Sequence, residues 1–392
     1  MKEYTTQKGD GKLFVNYKLG ILTFPNPNDT PAGVTALQNF IDIISALTSD
    51  LYLITGGSGR EKLDITFNDD KCKCVFINYI PKKFFLCKII NGIISQFRYT
   101  YQVIKYSKSV SCWLFFFGER GPLLPLIMTK ILKNNSILIL CASSKNILNY
   151  RRNSLATLAI ALEKYCSYFS DIIIVYSKNL IKEWNLEKHK NKIFIAPEHF
   201  IDFNLFKVQH LLRKRNNHIG YIGRLSGEKG ILNLIEAIGL LNNNSKNNFY
   251  VIGDGELKEE VKKLINQENL NEEIKLLGWV PHEELPQYLN EMKLLVIPSY
   301  TEGLVNVMLE AMACGTPVLA TAVGAIPDVI KDGKTGFILE DNSPECIAKN
   351  ILRALSHPNL EQIAANARAL MEQEFTYEAA VERYRKILAS PS

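Results

Sequence analysis

The sequence LLVIPSYTEGLVNVMLEAMACG, residues 294–315, is the most informative segment for predicting the fold. Residues 294–297 are an apolar run closed by Pro298, which is typical of a strand buried on both faces of a parallel sheet. Residues 304–313 are rich in helix-forming residues and are apolar on nearly every side, which predicts a buried helix that starts at Leu304. A buried strand, a loop and a buried helix together indicate an α/β fold with a parallel sheet.

Two carboxylates and a helix start give this stretch a chemistry. Glu310 lies inside the apolar helix, where a carboxylate is costly unless it accepts hydrogen bonds, for example from a pair of sugar hydroxyls. Glu302 stands at the helix entrance, and the free amides of Leu304, Val305 and Asn306 would form an anion site suited to a phosphate. The segment therefore predicts a nucleotide-sugar site. In the alternative interpretation Glu302 only stabilises the helix dipole and Glu310 pairs with a core Arg or Lys.

The same residues resemble a known enzyme family. Glu302 and Glu310 match the glutamate pair, separated by seven residues, of the family 4 retaining glycosyltransferases of the GT-B fold, and EGLVNVMLEAMACGTPVLAT resembles that family's donor-site helix and following strand. The resemblance implies that Glu310 holds the ribose hydroxyls of the donor nucleotide and that Glu302 lies beside the transferred sugar. It also assigns Gly303, together with the helix start, to donor binding.

A second family-like segment is HIGYIGRLSGEKGILNLIEAI, residues 218–238. Gly223 follows a predicted strand and would let the backbone approach a diphosphate. Arg224 offers a planar fork of donors and Lys229 a point charge, and both would offset negative charge on a leaving diphosphate. The alternative is an ordinary strand–loop–helix connection with two solvated cations.

Two further strand ends are expected to line the nucleotide base. Gly253 and Asp254 end one predicted strand, and Trp279 and Val280 follow the end of the next. Ligands bind at the carboxyl ends of strands in open α/β sheets, so these loops should contact the donor. The alternatives are that Asp254 is a turn former and that Trp279 fills the core.

Composition sets limits on the remaining function classes. A chain of 392 residues predicts two domains, and 47% hydrophobic with 22% charged residues is ordinary for a soluble protein. No segment resembles a signal peptide or a membrane span, which predicts a cytoplasmic protein. The 8 cysteines form no CxxC pair and the 6 histidines are scattered, so no metal site is predicted. No nucleic-acid-binding module is visible.

Charge is unevenly distributed along the chain. Residues 1–200 hold 26 Lys and Arg against 15 acidic residues, whereas residues 201–392 hold 20 against 25. In the first half the basic residues lie among aliphatic and aromatic ones, as in residues 81–108, a composition found in helices that lie on membrane surfaces. Two interpretations stay open, peripheral association with the inner face of the cell membrane and a solvated helix face around a normal core.

The first half matches the family only loosely. Residues 1–206 are predicted to form an acceptor-side domain, residues 207–374 a donor domain, and residues 375–392 a helix that packs back on the first domain. Gly33 stands where the family has a glycine loop that faces the donor phosphates, although it can also be a simple loop glycine. Phe116 to Gly118 replace a histidine that family members commonly carry, and Glu119 and Arg120 are weak substitutes for it.

The sequence thus predicts a GT-B protein, with two Rossmann-like domains whose parallel sheets face a central cleft. The predicted function is transfer of a hexose from a nucleoside-diphosphate sugar to a glycan or to a polyisoprenoid or other lipid-linked acceptor, with retention at the anomeric carbon (EC 2.4). No cofactor or metal is expected to be required. The alternatives are a non-catalytic nucleotide-sugar-binding subunit and a GT-B epimerase or phosphorylase.

Overall fold

A computed structural model describes residues 18–23, 31–56, 72–77, 85–117, 121–141, 156–241 and 248–390. These residues form two parallel sheets, each with helices packed against it, as the alternation of short apolar runs and amphipathic segments predicts.

The first sheet has seven strands in the order β3-β2-β1-β4-β5-β6-β7, and every pair is parallel. Its strands are Lys18–Thr23 (β1), Asp50–Gly56 (β2), Cys72–Ile77 (β3), Cys112–Phe117 (β4), Asn135–Leu140 (β5), Ile172–Val175 (β6) and Ile193–Ile195 (β7). The accompanying helices are Pro31–Ser45 (α1), Phe85–Tyr106 (α2), Leu123–Ile131 (α3), Ala156–Phe169 (α4) and Lys178–Glu183 (α5). Helix α1 begins at Pro31, since Pro is well suited to a first helical position.

The second sheet has six parallel strands in the order β10-β9-β8-β11-β12-β13. Its strands are His218–Ile222 (β8), Asn248–Ile252 (β9), Ile274–Gly278 (β10), Met292–Ile297 (β11), Val318–Thr321 (β12) and Phe337–Leu339 (β13). The later helices are Ile231–Leu241 (α6), Lys258–Gln267 (α7), Leu285–Glu291 (α8), Asn306–Ala313 (α9), Ile326–Val329 (α10), Pro344–Leu355 (α11), Leu360–Glu374 (α12) and Tyr377–Leu388 (α13).

The chain passes between the two cores near residue 200 and again near residue 376. Ala196 packs in the core of the first sheet, whereas Ile201 packs in a core of the second, six residues before position 207. Phe375 still belongs to the second domain, but Tyr384 on α13 is buried against the first, where its hydroxyl donates to the Ala196 carbonyl at 2.9 Å. The last helix therefore ties the two domains together.

A buried arginine in the segment before β8 forms a hydrogen bond to the end of helix α9. Arg215 is 5% exposed, and none of its hydrogen-bond partners among the described residues is a carboxylate. Burial lowers its pKa to about 10, so it stays charged at neutral pH. Its guanidinium donates to the carbonyls of His210, Leu289, Met292 and Cys314 and to the hydroxyl of Thr316.

We expect Arg215→Met to lower the free energy of unfolding by about 3 kcal/mol, because several buried carbonyls would lose their donor while the chain keeps its volume. The matched control is Arg213→Met, since Arg213 is exposed and only 3.9 Å from Glu361 in a surface ion pair. Urea unfolding followed by circular dichroism measures both. Equal urea midpoints for the two variants would contradict the stabilising role of the Arg215 hydrogen bonds.

Candidate active site

A cavity of about 520 Å³ lies at the carboxyl edge of the second sheet. The strand order reverses between β8 and β11, and the loops that follow these two strands line the cavity, as expected for a ligand site in an open parallel sheet. Thr35, on α1 of the first domain, also lines it, so the cavity lies in the cleft between the domains. Twelve residues predicted from the sequence line it: Gly223, Arg224, Lys229, Gly253, Asp254, Trp279, Val280, Glu302, Leu304, Val305, Asn306 and Glu310.

Two predicted residues lie just outside this lining. Gly33 is in the first turn of α1, two residues before Thr35. Gly303 lies behind Glu302, where its carbonyl accepts the amide of Ala325 at 2.9 Å. Their roles in donor binding stay predictions.

The floor of the cavity is backbone, and it requires glycine. The amide of Gly223 donates to the Ile252 carbonyl at 3.0 Å, and the amide of Gly253 donates to the Gly278 carbonyl at 2.7 Å. Gly253 has a φ of +139°, and a Cβ there would overlap the carbonyl oxygen of Gly223. The loops after β8, β9 and β10 therefore pack against one another without side chains, which leaves backbone open to a ligand.

Lys229 and Glu302, which both line the cavity, form an ion pair. The ammonium of Lys229 donates to both carboxylate oxygens of Glu302, at 2.7 and 2.8 Å. Gly230 fixes the approach, because its φ is +68° and a Cβ there would overlap the carbonyl oxygen of Pro298 after β11. Glu302 therefore does not act as a helix-dipole charge. It lies four residues before α9 and is held by the cation that the sequence analysis assigned to the diphosphate.

The second predicted cation has a looser partner. The guanidinium of Arg224 lies 3.6 Å from the carboxylate of Glu228, which is itself largely buried. The arginine side chain remains 45% exposed and borders the cavity. Both predicted cations therefore line the cavity, Lys229 in a close pair with Glu302 and Arg224 in a looser pair with Glu228.

The loop that carries Glu302 is supported from both domains. Gly324, which has a φ of +57°, packs so closely that a Cβ would overlap the carbonyl oxygen of Glu302. From the first domain, Asn179 donates to the Gly324 carbonyl at 2.9 Å and Glu183 accepts its amide at 3.1 Å. Relative movement of the domains would thus act directly on this loop.

Glu310 has a partner that the sequence analysis missed. Its carboxylate is 6% exposed, and one oxygen lies 2.8 Å from Nε2 of His282, which also lines the cavity. A hydrogen bond to Glu310 is the main cause that raises the pKa of His282. The expected alternative partners, a core Arg or Lys, are therefore wrong. The only sequence signal was the place of His282, two residues after Val280 in a predicted site loop.

The start of the donor helix differs from the prediction. Helix α9 begins at Asn306, and its first helical hydrogen bond joins the amide of Leu309 to the carbonyl of Val305. The first-turn amides are thus those of Asn306, Val307 and Met308, two residues later than predicted. Of the predicted amides, only that of Asn306 belongs to the first turn. Leu304 and Val305 extend from the preceding loop, where both contact the cavity.

Trp279 and Asp254 differ in how well they suit a ligand. Trp279 is 66% exposed at the edge of the cavity, which excludes a core-filling role. Asp254 accepts the Gly255 amide at 2.8 Å and the Lys258 ammonium at 2.7 Å, as a turn former does. The bond to Lys258 is the main cause that lowers the pKa of Asp254. Asp254 therefore contributes to the cavity while it holds its own turn.

On the first-domain side of the cleft, residues 116–118 stand where family members commonly carry a histidine. Phe116 is buried, and its ring stacks on Phe40 with centroids 4.8 Å apart. It is a core residue and offers no polar group. Glu119 and Arg120 lie outside the described residues.

A buried glutamate–histidine pair occupies the domain junction. Glu198 is 1% exposed, and within the described ranges neither of its carboxylate oxygens has a hydrogen-bond partner of good geometry. Nδ1 of the adjacent His199 lies 3.7 Å away, and the His199 ring is close to the backbone of Leu304 in the cavity wall. Burial raises the pKa of Glu198 to about 7 and lowers that of His199 to about 3. Both groups are therefore neutral at mildly acidic pH, and the other titratable groups around them are Cys141, Tyr176, Arg383 and Tyr384.

The described residues contain neither a metal-binding cluster nor a membrane-spanning helix. In the ranges that the structure covers, no group of three or more His, Cys, Asp or Glu side chains could hold a metal ion. Within those ranges, too, no helix is both long and apolar enough to cross a membrane.

Solved structures of known proteins share this architecture. Anabaena HepE in complex with UDP superposes with a TM-score of 0.74 at 17% identity, over 95% of this chain and 100% of HepE. Sucrose-phosphate synthase from Thermosynechococcus elongatus gives a TM-score of 0.73 at 19% identity, over 95% of this chain and 100% of that one. The predicted fold class is confirmed: two Rossmann-like domains with parallel sheets, in the GT-B arrangement.

The second domain resembles a known family. Residues 202–370 match the model of glycosyl transferases group 1. An uncharacterized glycosyltransferase of Methanocaldococcus jannaschii is 30% identical over 225 residues, which are 57% of this chain and 61% of that protein. The alpha-D-kanosaminyltransferase of Streptomyces kanamyceticus is 32% identical over 205 residues, 50% of this chain and 53% of that protein. The chain thus spans between about half and three-fifths of these curated relatives.

We expect Glu198→Gln to stabilise the protein, and to do so more at pH 8 than at pH 5. The carboxyl pKa is about 7 in the folded state against an ordinary 4.5, so the unfolded chain loses the proton first as pH rises. The cost to the folded state grows between pH 4.5 and 7 and reaches about 3 kcal/mol, which glutamine avoids.

Thermal unfolding at both pH values tests this expectation. His199 contributes in the opposite direction, since its lowered pKa costs stability as pH falls below 6.5, but this effect is common to both proteins and cancels in the difference. The exposed Glu256 provides the control Glu256→Gln. A difference in melting temperature that is the same at pH 5 and pH 8 would show that Glu198 is ionised in both states.

Proposed function

We propose that this protein is a glycosyltransferase that moves a hexose from a nucleoside-diphosphate sugar to an acceptor hydroxyl, with retention at the anomeric carbon. The observation that carries the proposal is the arrangement of two carboxylates and two cations around one cavity, which Glu302, Glu310, Arg224 and Lys229 all line. Nucleotide and sugar would bind along this line.

Each group has a distinct proposed role. The Glu310 carboxylate accepts hydrogen bonds from the ribose hydroxyl groups. His282 orients this carboxylate through a hydrogen bond to one of its oxygens. The first-turn amides of α9 and the two cations, Arg224 and Lys229, bind the diphosphate and stabilise the charge it gains when the bond to the sugar breaks. Glu302 is placed beside the sugar, and it exchanges its bond to Lys229 for contacts with the ligand.

The donor and acceptor are proposed at the level of chemical class. UDP sugars are the first donors to test, because HepE, which shares the fold, has been crystallised with UDP. The acceptor is proposed to be a glycan or a polyisoprenoid or other lipid-linked glycan, and the protein to act in the cytoplasm at the inner face of the membrane. Metal is not expected to be required, since two cations and the helix start can together neutralise a diphosphate.

A screen of purified protein against UDP, GDP and ADP sugars tests the proposal, with nucleoside diphosphate release and donor loss followed by mass spectrometry. We expect release from one donor when acceptor or water is present. Lys229→Met should lower turnover by about 10²- to 10³-fold, because it removes a charge aimed at the leaving group.

The matched control is Lys262→Met, which removes an exposed lysine of α7 that lies outside the cavity. It should leave turnover unchanged. Turnover of Lys229→Met at the wild-type rate would contradict the assignment. Donor binding without release from any sugar, with or without acceptors, would favour a nucleotide-sugar-binding subunit instead.

A further inference from the structure

Helix α2 carries an apolar stripe on its outer face. Six large side chains, each between 41% and 63% exposed, make up this outer stripe: Ile90, Ile93, Ile94, Phe97, Tyr101 and Ile104. At 100° per residue they fall within one face roughly 100° wide. A solvated helix face usually carries charge at such positions, and this one carries isoleucine and aromatic residues instead.

The opposite face of the helix is fixed to the domain, so the outer stripe cannot rotate inward. Ser95, Tyr99 and Val103 are buried, and the Tyr99 hydroxyl donates to the Thr23 carbonyl at the end of β1, at 2.9 Å. The side chain of Gln96 donates to the Gly121 carbonyl at 2.8 Å and accepts the amide of Leu124 at 3.2 Å, which ties α2 to the start of α3. Helix α2 is therefore apolar on two opposite sides, and only one side faces the core.

The described residues of α2, α3 and the strand that follows each helix carry positive charge only. Residues 85–117 and 121–141 contain six Lys and Arg and no acidic residue, and of these cations Lys130 is paired with Asp171 at 2.7 Å. Arg98 and Lys105 are exposed on α2 beside the stripe, and α3 and α4 pack next to it in the same layer. That layer also exposes Ile131 and Tyr168, which are 66% and 67% accessible.

From this combination we propose that the outer stripe is a docking face for an anionic phospholipid surface. Apolar side chains at one helix face insert at the boundary between head groups and acyl chains, and flanking cations attract anionic head groups. A protein partner would need an apolar groove of matching shape with acidic residues at its rim. An anionic bilayer offers an apolar interior and negatively charged head groups over its whole surface. The docking face deepens the proposed function, since it lies on the domain opposite the donor site and would bring lipid-linked acceptors to the cleft.

Vesicle flotation tests the docking face without reference to catalysis. The protein is mixed with vesicles of phosphatidylcholine alone or of phosphatidylcholine with phosphatidylglycerol, at low and moderate salt. We expect binding to the anionic vesicles that weakens with salt, and little binding to the neutral ones. The triple variant Ile93→Gln, Phe97→Gln, Tyr101→Gln should bind at least about tenfold more weakly, because it removes the inserted groups.

The control is Leu352→Gln, at a residue that is 50% exposed on α11 of the other domain and lies off the stripe. It should bind vesicles as the wild type does, and melting curves confirm that both variants fold. Absence of vesicle binding by the wild type at both salt concentrations overturns the proposal, as does equal binding by the triple variant. Self-association that the triple variant abolishes, seen by sedimentation in the absence of lipid, overturns it in favour of a contact between copies. Binding of nucleoside diphosphate by calorimetry, measured in parallel, tests the proposed function separately.

Discussion

The main physical constraint at the candidate site is the burial of one carboxylate in an apolar helix. Glu310 lies on α9, where its neighbours Leu309, Ala311 and Met312 are fully buried. Transfer of a carboxylate into such surroundings is costly unless its oxygens are hydrogen-bonded. His282 satisfies one oxygen, and Glu310 itself lines the cavity, where hydroxyl groups of a ligand would complete the shell. The need for a partner explains why this helix forms a wall of the site and is not simply part of the core.

Around that carboxylate the fold supplies geometry that side chains alone could not. Close contacts at Gly230, Gly253 and Gly324 press neighbouring loops together, and all three residues have a positive φ. Each contact joins loops that follow different strands of the second sheet, so the cations and carboxylates are held on a closely packed backbone. Because Asn179 and Glu183 of the first domain bond to Gly324, domain position and loop position are coupled. Closure of the cleft would adjust Glu302 as it excludes water.

Much of this was readable from sequence, for a physical reason. Buried strands such as residues 294–297 and the carboxyl-end loops of parallel strands leave clear patterns, and twelve of the predicted residues line one cavity. The contact that the sequence did not predict joins residues far apart in the chain. The bond between His282 and Glu310 joins residues 28 positions apart, and nothing local identifies it. The start of α9 was placed two residues early because Leu304 and Val305 are apolar like the helix itself, and apolar content does not define a helix start.

The first domain shows the other limit. Phe116, one of the three residues 116–118 that stand where the family commonly carries a histidine, packs in the core, so the family pattern identifies no site residue there. The outer stripe of α2 was visible as composition, but only the buried position of Tyr99 shows which face of the helix points outward.

The most direct test of the account is whether Glu310 binds ribose. Calorimetry would compare a nucleoside diphosphate with its 2′-deoxy analogue, on the wild-type protein and on Glu310→Gln. We predict that the wild type binds the ribonucleotide at least about tenfold more tightly, since a hydrogen bond to a charged group contributes roughly 1.5–3 kcal/mol, and that the variant discriminates far less. Equal discrimination by both proteins would show that Glu310 does not contact the ribose and would contradict the placement of the donor in this cavity.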